Sequence, residues 1–191
     1  MNQLEIKVQA SKDYLRIDTY DEKKAARLGE AIAGKNILQR EVKMIADMIR
    51  ESIIQNLRQG KRYDTRANVK ELALRTRLRK GHGQPFFETG RLFKGVLLKK
   101  VGRGYVIYLS NKRYPKKPIE IGGHPGYRRG KSRQPTVADV GKYLQEGHSN
   151  LPARPFFGIN KKNLKLIIKQ VLGKTRGNQY FKQSEGNSLS L

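Results

Sequence analysis

Cysteine and tryptophan are both absent from this chain of 191 residues. Without cysteine the chain has neither a disulfide framework nor a thiolate metal site, and its composition fits folding in a reducing cytoplasm. Aromatic residues make up 8% of the chain and hydrophobic residues 37%. Both fractions are low for a compact monomer. We therefore expect the chain to complete the burial of its apolar surface in an assembly.

Long apolar runs are also missing, and the first residues do not have the pattern expected of a secretory leader. The first residues, MNQLE, lack a basic segment followed by an apolar core, and no uninterrupted apolar run approaches the length that crosses a membrane. The sequence therefore indicates neither export nor membrane insertion. Its length suits one folded unit, and we predict a single domain over residues 1–172, with a flexible tail over 173–191.

Acidic residues are scarce. The chain has 16 of them against 41 Lys and Arg, and its net charge is +25. The excess is local, because residues 61–135 hold 21 basic and 4 acidic residues and so contribute +17. A field of this strength attracts polyanions, so nucleic acid, an acidic protein ring or both are the expected partners. The alternative is a basic face that meets only solvent.

Few residues support a catalytic or metal site. A divalent-metal nuclease needs clustered carboxylates or histidines to hold the ion and activate water, yet the four carboxylates of the basic third are widely spaced. Neither a P-loop nor a dinucleotide-binding glycine pattern occurs. The three histidines lie in glycine-rich or turn-forming stretches without helical zinc spacing: His82, His124 and His148. We expect no enzymatic activity and no cofactor.

Two β-hairpins are predicted by the pattern of apolar residues. Apolar and polar residues alternate over 4–9 and again over 15–18, which is typical of two half-buried strands joined by a turn. Two longer apolar stretches, 96–101 and 105–109, flank Gly102-Arg103-Gly104, as in a hairpin with a glycine-containing turn.

A long amphipathic helix is predicted between about residues 21 and 57. Gly29 and Gly34 could break its first part, because glycine inside a helix costs about 1 kcal/mol relative to alanine. Its apolar stripe recurs at three- and four-residue steps: Leu38, Val42, Ile45, Ile49, Ile53 and Leu57.

Three further helices complete the prediction. A basic amphipathic helix over 67–80 would lie on phosphates, on an acidic partner or in water. Thr136 and Asp139 have the spacing of a capping box, with Val137, Val140, Tyr143 and Leu144 on one face of the helix that follows. A last helix begins near Asn160 and ends at Gly173. The predicted class is α+β: an N-terminal β-hairpin, a long helix, a central antiparallel sheet packed with helices, and a disordered C-terminal tail.

A basic loop over residues 111–135 follows the second hairpin. Four prolines punctuate it, so we expect it to be exposed. Tyr114 and Tyr127 could stack on bases or simply stiffen the loop. The bases of a duplex are already stacked, which favours contacts to phosphates. The basic residues of the loop are Lys112, Arg113, Lys116, Lys117, Arg128, Arg129, Lys131 and Arg133.

A proline-bracketed segment stands near the C-terminal end. Pro152 and Pro155 fix the backbone on both sides of Ala153-Arg154 and deliver Arg154 and the Phe156-Phe157 pair in a set direction. We call residues 152–158 the strap. Taken alone, it is typical of a structural turn seated on a core.

Glu146-Gly147, followed by this strap and then a helix, resembles the tail-completion (virion morphogenesis) proteins of long-tailed phages. A second part of the resemblance is Thr89-Gly90-Arg91-Leu92, which in that family opens a short helix leading into a β-hairpin. The two parts stand in the family's order, and the resemblance extends from residue 89 to about 172. One departure is the basic loop, which is longer than the family's connection.

This resemblance implies a structural protein of the phage neck. Such a protein forms a ring, which we expect to be sixfold, where the tail tube or tail terminator meets the head–tail connector around the DNA path. It is assembled in the host cytoplasm and carried in the virion, without a membrane. The motif and interface residues are Thr89, Gly90, Arg91, Leu92, Glu146, Gly147, Pro152, Arg154, Pro155 and Phe156.

Charge then assigns the residues that face double-stranded DNA, without reading its sequence, or an acidic neighbouring ring: Arg75, Arg77, Arg79, Lys80, Arg113, Lys116, Lys117, Arg128, Arg129, Lys131 and Arg133. We predict that Arg154 pairs with Glu146 or with a neighbour's carboxylate. The competing class is a free-standing basic nucleic-acid-binding protein of ribosomal or chromatin type, which has the charge but does not explain the strap.

Overall fold

The two hairpins join into one four-stranded antiparallel sheet. A computed structural model describes residues 4–10, 15–18, 37–72, 74, 77–78, 81–86, 90–114, 134–148 and 152–176. Strands β1 (Glu5–Ala10) and β2 (Leu15–Asp18) form the N-terminal hairpin, and β3 (Val96–Val101) and β4 (Gly104–Leu109) form the central one. The strand order is β2-β1-β4-β3, so the first and last strands in sequence meet at the centre. The predicted α+β class and both hairpins are confirmed.

One face of the sheet is apolar and buried. Its register places Val8 opposite both Ile17 and Tyr105, and Ile6 opposite Ile107. These five side chains are buried, whereas the residues between them on β1 and β2 are exposed or half-buried. The alternation in the sequence therefore marks the side of the sheet that a helix covers.

Helix α1 (Gln39–Gln59) covers that face. Five members of the predicted stripe are buried: Val42, Ile45, Ile49, Ile53 and Leu57. Leu38 is not part of the stripe. It is the N-cap residue and is 43% exposed, and its N–H donates to Glu41 Oε2 at 2.7 Å. The predicted helical segment before residue 37, with Gly29 and Gly34, lies outside the described residues.

The chain leaves α1 through a glycine cap. Gly60 has a φ of 63°, a left-handed conformation that suits glycine. The next residue, Lys61, donates its N–H to Asn56 O at 2.9 Å, which satisfies one of the last carbonyls of the helix. The helix therefore ends in a defined direction and leads into the segment 61–72.

The predicted helix over 67–80 is wrong for its first part. Residues 67–72 are not helical, because Val69 N–H bonds back to Gly60 O at 2.8 Å and Lys61 pairs with Asn68 in an isolated β-bridge. Val69 and Leu72 are buried, as their apolar character suggests, but they lie in this non-helical segment and not on a helix. Helical backbone occurs farther on, at Leu74 and at residues 77–78.

Three named helices follow α1 in the described part of the chain. They are the short α2 (Arg91–Lys94), α3 (Val137–Glu146) and α4 (Lys161–Arg176). The predicted capping box of α3 is confirmed, with Thr136 Oγ1 accepting from Asp139 N–H at 3.0 Å. The predicted end of the last helix at Gly173 is wrong, because α4 continues to Arg176. Its buried Val171 and Leu172 pack on the core, and this packing offsets the small cost of an internal glycine.

Candidate functional site

The strap lies where α3, α4 and the segment after α1 meet. Phe156 is fully buried, and its ring centroid is 5.4 Å from that of Phe86 and 6.2 Å from that of Phe157. At Gly141 of α3, a Cβ atom would clash with Leu109 and would lie 3.6 Å from the Phe156 ring. The strap is therefore built into the core between α3 and the sheet.

Gln145 holds the two phenylalanines of the strap to α3. Its side-chain oxygen accepts the backbone N–H groups of Phe156 and Phe157, at 3.1 and 3.0 Å. Its side-chain nitrogen donates to Phe157 O at 3.3 Å. Because the amide has both an acceptor and a donor, one side chain satisfies three backbone groups. The sequence pattern pointed to the neighbouring Glu146 and gave no role to Gln145.

Glu146 and Gly147 end α3 in different roles. Glu146 is exposed. Gly147 has φ 81° and ψ 158°, a combination that in practice only glycine adopts. The Glu-Gly pair thus marks the turn out of α3. Tyr143, which was predicted to share a face of this helix with Val137, Val140 and Leu144, is 40% exposed and stacks on His148 with the ring centroids 4.6 Å apart.

Arg154 is buried, with 5% of its surface exposed. Its guanidinium donates from Nε to Lys70 O at 3.1 Å and from Nη2 to Glu71 O at 3.4 Å, and its backbone N–H donates to Leu144 O. Among the described residues, its predicted ion pair with Glu146 is not observed. Burial lowers the pKa of Arg154, but a guanidinium remains charged at neutral pH. Arg154 therefore ties the strap to the segment after α1 through backbone carbonyls.

Tyr63 of the same segment contacts both the strap and Asn160, which follows the strap. Tyr63 N–H donates to Pro155 O at 3.1 Å, and Asn160 Nδ2 donates to Tyr63 O at 3.1 Å. A Cβ atom on Gly158 would lie 2.6 Å from the Tyr63 ring, so no larger residue fits there without movement. Asn160 also caps α4, because its side-chain oxygen accepts Asn163 N–H at 2.8 Å. The predicted helix start near Asn160 is thus confirmed.

An ion pair shapes the segment that the strap holds. The Arg62 guanidinium donates to both oxygens of Asp64, at 3.0 and 2.8 Å, and Thr65 N–H donates to Asp64 Oδ1 at 2.7 Å. The hydrogen bond from Arg62 is the main cause that lowers the pKa of Asp64 from 3.8 to about 2. These contacts keep the tight turn closed at neutral pH.

The second family-like motif lies at the start of the central hairpin. Thr89 is outside the described residues. Gly90 has a φ of 68° and precedes α2, and Leu92 is buried in the core. The Arg91 guanidinium lies 5.9 Å from the centre of the Tyr114 ring. The motif therefore connects the core to the beginning of the basic loop.

The basic loop begins and ends at one place. Arg113 and Thr136 form an isolated antiparallel bridge, and Tyr114 N–H donates to Pro135 O at 3.0 Å. The intervening residues 115–133 lie outside the described part of the chain. The sequence therefore places six Lys and Arg and one Glu between two pinned ends.

Of the predicted DNA- or partner-facing residues, the structure describes two. Arg113 is exposed at the base of the basic loop. Arg77 is exposed in the helical stretch after Leu72, and its Nη1 atom lies 3.6 Å from Glu71 Oε2. The others lie outside the described residues: Arg75, Arg79, Lys80, Lys116, Lys117, Arg128, Arg129, Lys131 and Arg133.

Two basic surfaces were missed by the sequence analysis. The first is the tip of the central hairpin, where Lys99, Lys100 and Arg103 are exposed. The second is α4, where Lys161, Lys162, Lys165 and Lys169 are exposed. For α4 the signal was present in the sequence, because the helix has four lysines at 161–169 and no acidic residue.

The described residues hold no group of three or more His, Cys, Asp or Glu side chains that could bind a metal ion. Across the same ranges, no helix is both long and apolar enough to span a bilayer. Comparisons of the chain with models of protein families, with curated proteins and with solved structures found no match.

Proposed function

We propose that this protein is a structural component of the neck of a long-tailed phage. It forms a ring of six subunits between the tail tube, or its terminator, and the head–tail connector, around the DNA path. It is carried in the virion, acts without a cofactor and catalyses no reaction.

The observation that carries the proposal is the strap with the elements around it. The residues that resemble the phage family follow one another in a continuous structure. Gly147 turns the chain out of α3, the strap enters the core, and Asn160 caps the start of α4. The second motif leads through α2 into the central hairpin, as it does in the phage family. A free-standing basic protein would share the charge but has no need of this arrangement.

Charge supports the DNA path. The net charge of +25 is a source of self-repulsion that an adjacent polyanion removes. The basic loop is held at its base by the bridge between Arg113 and Thr136, next to the exposed Arg113 side chain. In the proposed ring, this loop lies against the passing genome and contacts its phosphates, which carry no sequence information.

The mass of the purified protein in solution tests the proposal. Light scattering would be recorded over a series of salt concentrations, with and without double-stranded DNA and with purified tail tubes. We expect a discrete multimer, or a monomer that closes into rings on tail tubes. A stable monomer that coats free DNA and ignores tail tubes would instead favour the ribosomal or chromatin type of protein.

The role of the basic loop has its own test. A variant with Arg128, Arg129, Lys131 and Arg133 replaced by glutamine should bind duplex DNA with a smaller dependence on salt. Each lost phosphate contact reduces the magnitude of the negative slope of log K against log salt by about 0.9. An unchanged slope would remove these residues from the DNA interface while leaving the neck assignment open to the mass measurement.

A further inference from the structure

Helix α4 exposes a face that is basic along its length. Lys161, Lys165 and Lys169 are spaced by four residues, so they form one ridge, and Lys162 lies beside it. All four are exposed, and the 16 residues of the helix include no Asp or Glu. Within the described residues, no carboxylate pairs with Lys161, Lys162 or Lys165.

Stability of the fold does not explain this face. Lysine is unfavourable in the first turn of a helix, where the helix dipole is positive, yet Lys161 and Lys162 occupy that turn. The helix is held by its opposite side, where Leu164 and Val171 are buried against the core. Lys161, Lys162 and Lys165 therefore add repulsion to the folded monomer without pairing with a carboxylate of the described residues.

The hairpin lysines, by contrast, have a structural explanation. Strand β3 is an edge of the described sheet, and lysines on an edge strand prevent pairing with other chains. Arg50 reinforces that protection by donating to Val96 O at 2.8 Å. Lys99 and Lys100 of this strand, together with Arg103 in the turn that follows it, are thus a suitable control for the lysines of α4.

We infer that the lysine face of α4 binds the phosphate backbone of double-stranded DNA. The ridge from Lys161 to Lys169 extends over roughly 12 Å, a length over which B-DNA presents roughly seven phosphate charges. Each of its three lysines can therefore meet a phosphate without bending the duplex.

A protein partner fits this face less well. Lysine is depleted at protein–protein interfaces, whereas Lys and Arg dominate contacts to phosphates. Leu166 is 62% exposed on this helix, and an acidic protein would gain affinity by burying it. Phosphates give no such gain, so Leu166→Ala separates the two classes of partner.

This inference rests on the part of the proposed function that places the protein beside DNA, but not on the ring. It adds a second DNA-contacting surface, far along the chain from the basic loop. Because α4 is separate in sequence from the basic loop, substitutions on the lysine face leave the residues of that loop unchanged.

The test compares two triple variants of the full chain. One replaces Lys161, Lys165 and Lys169 with glutamine; the control replaces Lys99, Lys100 and Arg103 with glutamine. Both remove three positive charges, so the long-range field changes equally. Binding to a fluorescent duplex of about 30 base pairs would be followed by anisotropy over a series of salt concentrations.

The α4 variant should reduce the magnitude of the negative slope of log K against log salt by about 2.7, and the control should reduce it by less than about 1. A double variant, Lys161→Gln with Lys165→Gln, should lower it by about 1.8. Circular dichroism would show whether the triple variant is folded. If it is not, the double variant tests the same inference. Leu166→Ala should leave DNA binding unchanged.

Equal slopes for the α4 and control variants would overturn the inference, because any three charges would then serve. So would an unchanged slope in the double variant, or weaker DNA binding by Leu166→Ala. A monomer that shows the predicted slopes would refute the ring and retain the α4 surface. A ring with an unaffected α4 variant would do the reverse.

Discussion

Single residues decide how the strap is held, and Gln145 is the clearest example. It meets three backbone groups of the phenylalanine pair, whereas Glu146 is exposed. Gln145→Ala would leave two buried N–H groups without their acceptor, at a cost of about 1–3 kcal/mol each. We expect Gln145→Ala to lower the free energy of unfolding by about 2 kcal/mol or more, measured by urea denaturation.

Glu146→Gln is the matched control, because it changes an exposed residue one position away. Its free energy of unfolding should stay within about 0.5 kcal/mol of the wild-type value. If the two variants were equally stable, the side-chain bonds of Gln145 would contribute nothing measurable to the strap.

Asp64 gives the segment after α1 a dependence on pH. Its pKa is lowered to about 2 in the folded protein, mainly by Arg62, against 3.8 ordinarily. A lowered pKa stabilises the fold above the ordinary value, and this contribution is lost as the pH falls through the folded value. Wild type should therefore be more stable than Asp64→Asn at pH 7, and the gap should close between about pH 4 and pH 2.

Thermal unfolding of both proteins in a series of buffers measures this gap. Arg62→Gln should show a smaller loss of stability over the same range than wild type, because its Asp64 lacks the partner. A gap that stays constant down to pH 2 would mean that the ion pair does not influence folding.

At the scale of elements, Arg154 connects the strap to the segment that leads toward residues 74–78. Replacing it with alanine leaves the carbonyls of Lys70 and Glu71 without their buried donor, which should destabilise the protein by about 2–4 kcal/mol. The segment 61–72 should then open more often. Hydrogen exchange measured by mass spectrometry should show faster exchange at Val69, whose N–H bonds to Gly60 O.

Arg58→Ala supplies the comparison for Arg154→Ala, since Arg58 is an exposed arginine on α1. It should leave exchange in 61–72 unchanged. Similar exchange in both variants would show that the guanidinium of Arg154 does not hold the segment.

The elements that the sequence predicted correctly are those marked by local patterns of residues. Both hairpins and the stripe of α1 were predicted because alternation and helical spacing are local patterns. The segment 67–72 has an amphipathic pattern too, but its backbone bonds to Gly60, Lys61 and Arg154, which are set by tertiary contacts. Gln145 was missed for the same reason, since its partners lie 11 and 12 residues away and no local pattern marks them.

For the whole molecule, the net charge of +25 predicts how stability responds to ions. Salt screens repulsion between exposed charges, with a Debye length of about 10 Å at 0.1 M. The temperature of unfolding should therefore rise between low salt and about 0.5 M sodium chloride. Heparin, a polyanion, should produce a similar rise at a far lower concentration, because it binds the folded basic surface.

Calorimetry at each condition measures the shift. The variant with three glutamines on α4 should gain less from salt than wild type, since it has less repulsion to screen. A temperature of unfolding that fell or stayed level with added salt would indicate that the basic residues are already neutralised within the molecule.

Because the two ends of the basic loop are held together, the loop can change in length during evolution more readily than the core. The hydrogen bond from Tyr114 N–H to Pro135 O closes the base of the loop, and the entropy cost of closing a loop grows by only about 0.6 kcal/mol when the number of intervening residues doubles. Insertions and deletions between residues 115 and 133 can therefore accumulate while the core stays intact. We expect related chains to differ most in length within the basic loop. Replacement of this loop alone would then be enough to change the binding partner.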